Sequence, residues 1–262
     1  MPVDCRLVKP QKRRKSDNRL VPEDHFGAEV ARSYDESVAE MFDAAAVEPA
    51  VEVLSELAGG GRALELAIGT GRIALPLAAR GVDVCGIELS EAMVEELGRK
   101  PGGPDLPVTL GDMASVRIEG TFRLVYLVFN TIGNLTTQEE QVACFSNASI
   151  HLERGGCFVV EVGVPDLRRL PPGERHVVFH ADGSSWGIDE YDVASQRLVS
   201  HHLRQDGNRL RHRAIPFRYV WPAELDLMAR LAGMTLASRW ADWHRRPFDH
   251  ESTSHVSVWR TN

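Results

Sequence analysis

The sequence is short of the parts that several chemistries need. Its four cysteines, Cys5, Cys85, Cys144 and Cys157, are far apart and form no Cys-x-x-Cys pair, so neither a disulfide framework nor a zinc site is indicated. No apolar run reaches the roughly 18 residues of a membrane span. The first residues are basic and polar where a secretory leader would be apolar, so a cytoplasmic location is expected. Lysine is nearly missing: only Lys9, Lys12, Lys15 and Lys100 occur, and none is placed like a dehydrogenase proton donor. Positive charge is also scarce outside one end. Residues 1–20 carry seven Lys or Arg against Asp4 and Asp17, a net of +5; with −7 overall, residues 21–262 carry −12. So acidic a body repels phosphate backbones, which argues against nucleic acid as substrate and for a small-molecule acceptor. The stretch 1–24 reads as a solvated, disordered basic tail.

What is present is ordinary globular material, 43% hydrophobic and 26% charged. The length of 262 residues suits one α/β domain with an insertion. A homodimer is left open as the assembly. Two helical stretches are predicted over 26–57, with a break near Pro49. Beyond Gly59-Gly60-Gly61, short apolar runs alternate with helical patterns, the form of a parallel sheet wrapped by helices. Strands are predicted at 62–67, 82–87, 106–110, 122–128 and 157–162, and helices near 71–80, 90–99 and 137–152. From about 173 the pattern becomes that of hairpins, with turn signals at Asp182-Gly183 and Asp206-Gly207. The expected fold is therefore an α/β, Rossmann-like doubly wound sheet with mainly parallel strands and an antiparallel C-terminal hairpin. Residues 25–172 form the core, an antiparallel β insertion over 173–220 serves as a lid, and 221–262 return to the core sheet.

The run Ala63-Leu64-Glu65-Leu66-Ala67-Ile68-Gly69-Thr70-Gly71-Arg72 sets an apolar strand before glycines and a helical pattern after them, the context of a ligand-binding turn. Nineteen residues past Gly69, Glu88 ends the second strand, where a carboxylate can accept both hydroxyls of a ribose. The glycines alone also satisfy the dinucleotide fingerprint, so an NAD(P)-linked oxidoreductase is the alternative, and a non-catalytic cofactor-binding partner of another enzyme is a third reading. Glu65 argues against a dinucleotide, because a carboxylate inside an apolar strand suits a cationic amino acid tail. Gly111-Asp112-Met113 argues the same way: Asp112 can accept from an adenine amine while Met113 packs against the ring.

With Glu65–Gly71, Glu88, Gly111-Asp112-Met113 and Phe129-Asn130, the chain resembles the class I S-adenosylmethionine-dependent methyltransferases from about residue 30 onward. Tyr34-Asp35, Phe129 to Asn134 and the late hairpins are similar to amino-sugar N-methyltransferases of antibiotic pathways, although those enzymes typically carry histidine at the position of Asn134. The resemblance implies S-adenosyl-L-methionine as cofactor and transfer of its methyl to a nitrogen or oxygen of a small natural-product acceptor. It implies that Glu65 and Gly69 hold the methionine amine, Glu88 the ribose, and Asp112 with Met113 the adenine. Tyr34 closes over the methionine end, and Phe129 to Thr131 line the wall toward the acceptor. Ala67, Gly71, Arg72, Leu89 and Met93 complete the expected cofactor set.

Methyl transfer is an in-line displacement in which alignment supplies most of the rate, so few catalytic groups are required. Tyr34, Asn130 and His201 are the candidates. His202 is adjacent to His201, and on a strand the two point to opposite faces, so at most one can face a cleft. His212, Tyr219 and the Asp242-x-His244 pair are further options. No metal site is expected.

Overall fold

The computed structural model describes residues 26–261; the basic tail over 1–24 and Cys5 lie outside the described residues. The chain opens with α1 (Ala28–Ser37), a 3-10 turn (Ala39–Phe42) and α2 (Ala44–Ala58). Alternation follows: β1 (Ala63–Leu66), α3 (Ala74–Ala79), β2 (Val84–Glu88), α4 (Glu91–Gly98), β3 (Val108–Leu110), β4 (Phe122–Leu127), α5 (Gln138–His151) and β5 (Leu152–Gly163). Four strands come next, β6 (His176–Ala181), β7 (Ser185–Asp192), β8 (Arg197–Asp206) and β9 (Arg209–Arg218). The chain ends with α6 (Pro222–Leu231), β10 (Met234–Trp240) and β11 (Ser254–Thr261).

Every residue of β1 and β2 is buried, as strands must be when helices cover both faces of a sheet. The seven-stranded order β10-β11-β5-β4-β1-β2-β3 runs outward in both directions from β1 and β4. β1 pairs parallel to β2 and β4, β4 pairs parallel to β5, and β11 is antiparallel to both β5 and β10. The switch point lies between β1 and β4, and the crevice of such a sheet opens at the carboxyl ends of these strands. One core layer joins Leu64, Leu66, Phe145, Phe158 and Trp259 with Leu225 of α6, and the other joins Ala63, Leu124 and Tyr126 with Val51 and Leu54 of α2. β6 to β9 form a separate antiparallel sheet in sequential order.

Two local expectations need correction. The chain does not break at Pro49: α2 runs through it, and the helical boundary falls earlier, at Val38 and Asp43. Burial of Val47, Ala50, Val51 and Leu54 on one face of α2 holds the helix together despite the missing N–H. Pro49→Ala should therefore restore a hydrogen bond and raise the unfolding free energy by about 1–3 kcal/mol; an unmoved denaturation midpoint would show that the ring sits there without strain. β7 follows the Asp182-Gly183 turn as the second strand of the first hairpin, with Gly187, Asp189 and Tyr191 on one of its faces. β5 begins at Leu152 and not at 157, and Thr261 at the far end of β11 donates to the Glu153 carbonyl at 2.9 Å.

His255 of β11 is fully buried; its Nδ1 meets Ser257 Oγ at 2.8 Å and its Nε2 has no partner. Burial, helped by the Arg239 charge, pushes its pKa down to about 4. A histidine depressed in the folded state contributes stability above its unfolded pKa, near 6.5, and loses it as the pH falls toward the folded value, by up to about 1.4 kcal/mol per pH unit. His255→Phe should flatten that limb of the stability profile between those two pH values. Parallel profiles for the two proteins would contradict the assignment.

Candidate active site

Beyond Leu66 the chain turns sharply into α3. Ala67, Gly69 and Gly71 all have positive φ, at 55°, 56° and 80°. Gly71 is required twice over, since a Cβ there would stand 2.4 Å from Leu97 Cδ1 in a conformation that side chains rarely adopt. Above Gly69 the space is open, with nothing within 4 Å of where a Cβ would sit. Ala67 holds its left-handed conformation at a cost of about 1–2 kcal/mol. Glu88 ties the turn to β2: its Oε2 accepts from the Gly69 N–H at 2.8 Å and its Oε1 from the Ser90 N–H at 2.9 Å. The Ser90 hydroxyl in turn caps α4 at the Met93 N–H.

A second strained turn follows β4, where Phe129 and Asn130 have φ of 59° and 60°. β5 holds it in place. The Phe129 N–H donates to Glu161 Oε2 at 2.9 Å, the Asn130 N–H to the Glu161 carbonyl at 3.2 Å, and the Gly163 N–H to Asn130 Oδ1 at 2.6 Å. Consecutive non-glycine residues in this region cost about 1–3 kcal/mol each and persist where surrounding contacts over-determine them, characteristically at ligand sites.

The two turns face one cavity of about 390 Å³. Ala67 and Gly69, then Glu88, Leu89 and Met93, then Gly111, Asp112 and Met113 line one end. Phe129, Asn130, Thr131 and Asn134 line the other. Asp112 is fixed by accepting from the Ala114 N–H at 2.9 Å and from Ser115 Oγ at 3.3 Å.

Three residues of the expected cofactor set, Glu65, Gly71 and Arg72, are not among those that line the cavity. Strand parity explains Glu65, which shares the face of Ala63, on which α2 and α3 pack. It is 3% exposed and accepts from Tyr126 Oη at 2.9 Å. Burial pushes its pKa up to about 8, against the lowering effects of the Tyr126 hydrogen bond and the Arg72 charge. Arg72 lies 4.9 Å from the Phe129 ring centroid and donates to the Met41 carbonyl at 3.2 Å.

α1 roofs the cavity. Tyr34 lines it, meets Phe26 edge-on, and has its pKa raised by burial, so it is a donor at neutral pH. Lys100 fastens α1 to the glycine turn: its ammonium pairs with Asp35, donates to the Thr70 carbonyl at 2.8 Å and lies 5.0 Å from the Phe42 ring centroid. Thr70 Oγ1 completes the clasp by donating to Asp35 at 2.6 Å.

The small sheet supplies the remaining wall through His202, Ile215 and Phe217. Here the candidate His201 must give way to its neighbour. His201 points to the opposite face, with its Nδ1 3.0 Å from His212 Nε2 and its Nε2 3.5 Å from Glu190. Because His202 pairs with Arg213 in the β8–β9 ladder, residues 213, 215 and 217 share its face. Parity would have grouped them, had the register been known. Phe26 and Val38, also in the lining, carried no signal in the sequence. Tyr219 and His244 do not line the cavity.

A methyltransferase-domain family profile matches residues 63–156. The CcbJ methyltransferase of Streptomyces caelestis is 36% identical and superposes with a TM-score of 0.78, over 90% of this chain and 97% of that one. The chain is also 36% identical over 98 residues to the dTDP-3-amino-3,4,6-trideoxy-alpha-D-glucopyranose N,N-dimethyltransferase of Streptomyces venezuelae, a match covering 37% of this chain and only 40% of that protein's length. The fold is shared with the S-adenosylmethionine-bound amino pentose methyltransferase CalS10 of Micromonospora echinaspora, with a TM-score of 0.60 at 22% identity over 82% of this chain and 90% of that one. A profile over the glycine turn and a full-length relative agree with the doubly wound sheet and its cavity: the chain belongs to the class I S-adenosylmethionine-dependent methyltransferase family.

Proposed function

We propose that this protein transfers a methyl group from S-adenosylmethionine to a nitrogen of a small acceptor of the amino-sugar or natural-product type. The single cavity joining the glycine turn to the small sheet carries this reading, because one end fits the cofactor and the other is left for a second molecule. Glu88 is placed for the ribose hydroxyls and Asp112 for the adenine amine. Leu89 and Met113 would pack against the ring, and Gly69 with Tyr34 would enclose the methionine end. Bound there, the cofactor supplies an electrophilic methyl on a sulfonium.

Nitrogen is favoured over oxygen because it asks less of the site. A hydroxyl needs a strong base at its point of attack, whereas an amine attacks as the free base. Asn130, Thr131 and Asn134 can orient an acceptor by hydrogen bonds. The relatives point the same way, since one is named an N,N-dimethyltransferase and another, KedS8, a sugar N-methyltransferase. Residues 173–220 act as the acceptor lid in this reading.

The test is calorimetric titration with S-adenosylhomocysteine, followed by turnover of S-adenosylmethionine against paired amino and hydroxy sugars, free and nucleotide-linked. Methylation of the amines alone is the expected result. Methylation of only the hydroxy compounds would reverse the nitrogen assignment, and cofactor binding without any turnover would mark a non-catalytic binder.

A further inference from the structure

We propose that His202 is the proton acceptor for the incoming nucleophile, held in one tautomer by Ser200 and Asp189. The inference rests on the reading of the cavity's far end as the acceptor site.

Four side chains in the cavity lining titrate: Tyr34, Glu88, Asp112 and His202. Glu88 and Asp112 are occupied by backbone amides at the cofactor end, as described above, and Tyr34 keeps its proton. His202 stands with Ile215 and Phe217 on the wall contributed by the small sheet. Its ring is braced edge-on by Phe179, with centroids 5.6 Å apart. Burial lowers its pKa, and Arg213 and His201 lower it further, while Asp189 raises it. The free imidazole is thus the form present at neutral pH.

The ladder fixes which nitrogen is free. Ser200 Oγ lies 3.3 Å from His202 Nε2, and Ser200 stands directly opposite Asp189, whose carboxyl it also engages. A hydroxyl has one proton. Given to the Asp189 carboxylate, it leaves an oxygen lone pair for His202, so Nε2 carries hydrogen and Nδ1 keeps its lone pair. The acceptor nitrogen would gain the methyl as the methyl–sulfur bond breaks, its electron pair staying with the departing thioether; Nδ1 would take the proton that the nitrogen sheds, the ring would become imidazolium, and water would later remove that proton. Asp189 steadies the transient cation.

The first measurement is nitrogen-15 spectroscopy of histidine-labelled protein saturated with S-adenosylhomocysteine, with His202 assigned by its loss in His202→Gln. The expected result is a single tautomer, protonated at Nε2, that Ser200→Ala turns into a mixture. A ring protonated at Nδ1 overturns the proposal without touching the reading of the cavity. The second uses an amine found by the screen above: His202→Gln should lower kcat by at least about tenfold at neutral pH and remove the imidazole's contribution to the acid limb of its pH profile, leaving only that of the amine itself, while S-adenosylhomocysteine affinity stays the same. Unchanged kcat with the acid limb intact overturns the proposal. If no amine is methylated, the proposed function falls, and the tautomer measurement still decides how this histidine is held.

Discussion

Glu224→Leu should lower the unfolding free energy by about 3–5 kcal/mol, the cost of stranding a buried cation. The Arg218 side chain is only 5% exposed and pairs with Glu224 at 2.7 Å. Its guanidinium also reaches Gln141 Oε1 at 2.5 Å and Gln196 Oε1 at 3.1 Å, while Gln138 and Gln196 donate to the Glu224 carboxylate. The network fastens the end of β9 to α5 and α6, and with it the small sheet to the large one. Removing both charges should hurt less than removing one, so the double variant Arg218→Met with Glu224→Leu should recover part of the loss. Burial raises the Glu224 pKa, but the hydrogen bonds from Arg218, Gln196 and Gln138 outweigh it and hold the carboxyl below its usual range. This contribution is therefore present above the unfolded carboxyl pKa and fades as the pH falls through the folded value. Thermal denaturation of the wild type and the two variants across acidic pH decides it; a loss in Glu224→Leu no larger than in the double variant would show that the cation finds water.

The second large effect is on ligand affinity. Glu65→Gln should weaken binding of S-adenosylhomocysteine by about one order of magnitude, the loss of a negative charge that the cationic amine would draw out beside the glycine turn. The amide can still accept from Tyr126, so the fold should survive. In the folded protein the Glu65 carboxyl holds its proton up to about pH 8, whereas an unfolded one loses it near 4.3. Between those values the unfolded chain binds fewer protons, and the wild type loses stability as the pH rises. The glutamine variant escapes this penalty and should melt higher at neutral pH. A cationic amine near Glu65 would favour the ionised form, so wild-type affinity should also climb with pH toward 8 and level off beyond. Equal affinity of the two proteins at all pH values would remove Glu65 from the site.

Much of the parallel core was legible because its signals are local. A strand buried on both faces reads as an apolar run, and a ligand turn needs glycine where φ is positive. Glu65 stood out for the same reason, as a charge where the strand had to be dry. What the sequence hid depends on partners distant along the chain. His201 and His202 are equivalent until the β7–β8 and β8–β9 registers are fixed. Pro49 misled because local backbone preference gave way to tertiary burial of α2. That Glu65 is not among the lining residues follows from strand parity, yet how far the wall extends is set by Phe129 and Asn130, whose strained turn depends on Glu161 of another strand.

Lys100 has a chemical consequence of its own. It is the one lysine among the described residues, its side chain is 25% exposed, and it alone spans Asp35, Thr70 and Phe42. Acylating reagents, which on most proteins scatter over many amines, would find a single lysine among the described residues. One amide bond formed there would cancel the charge and unbuckle the helix bearing Tyr34.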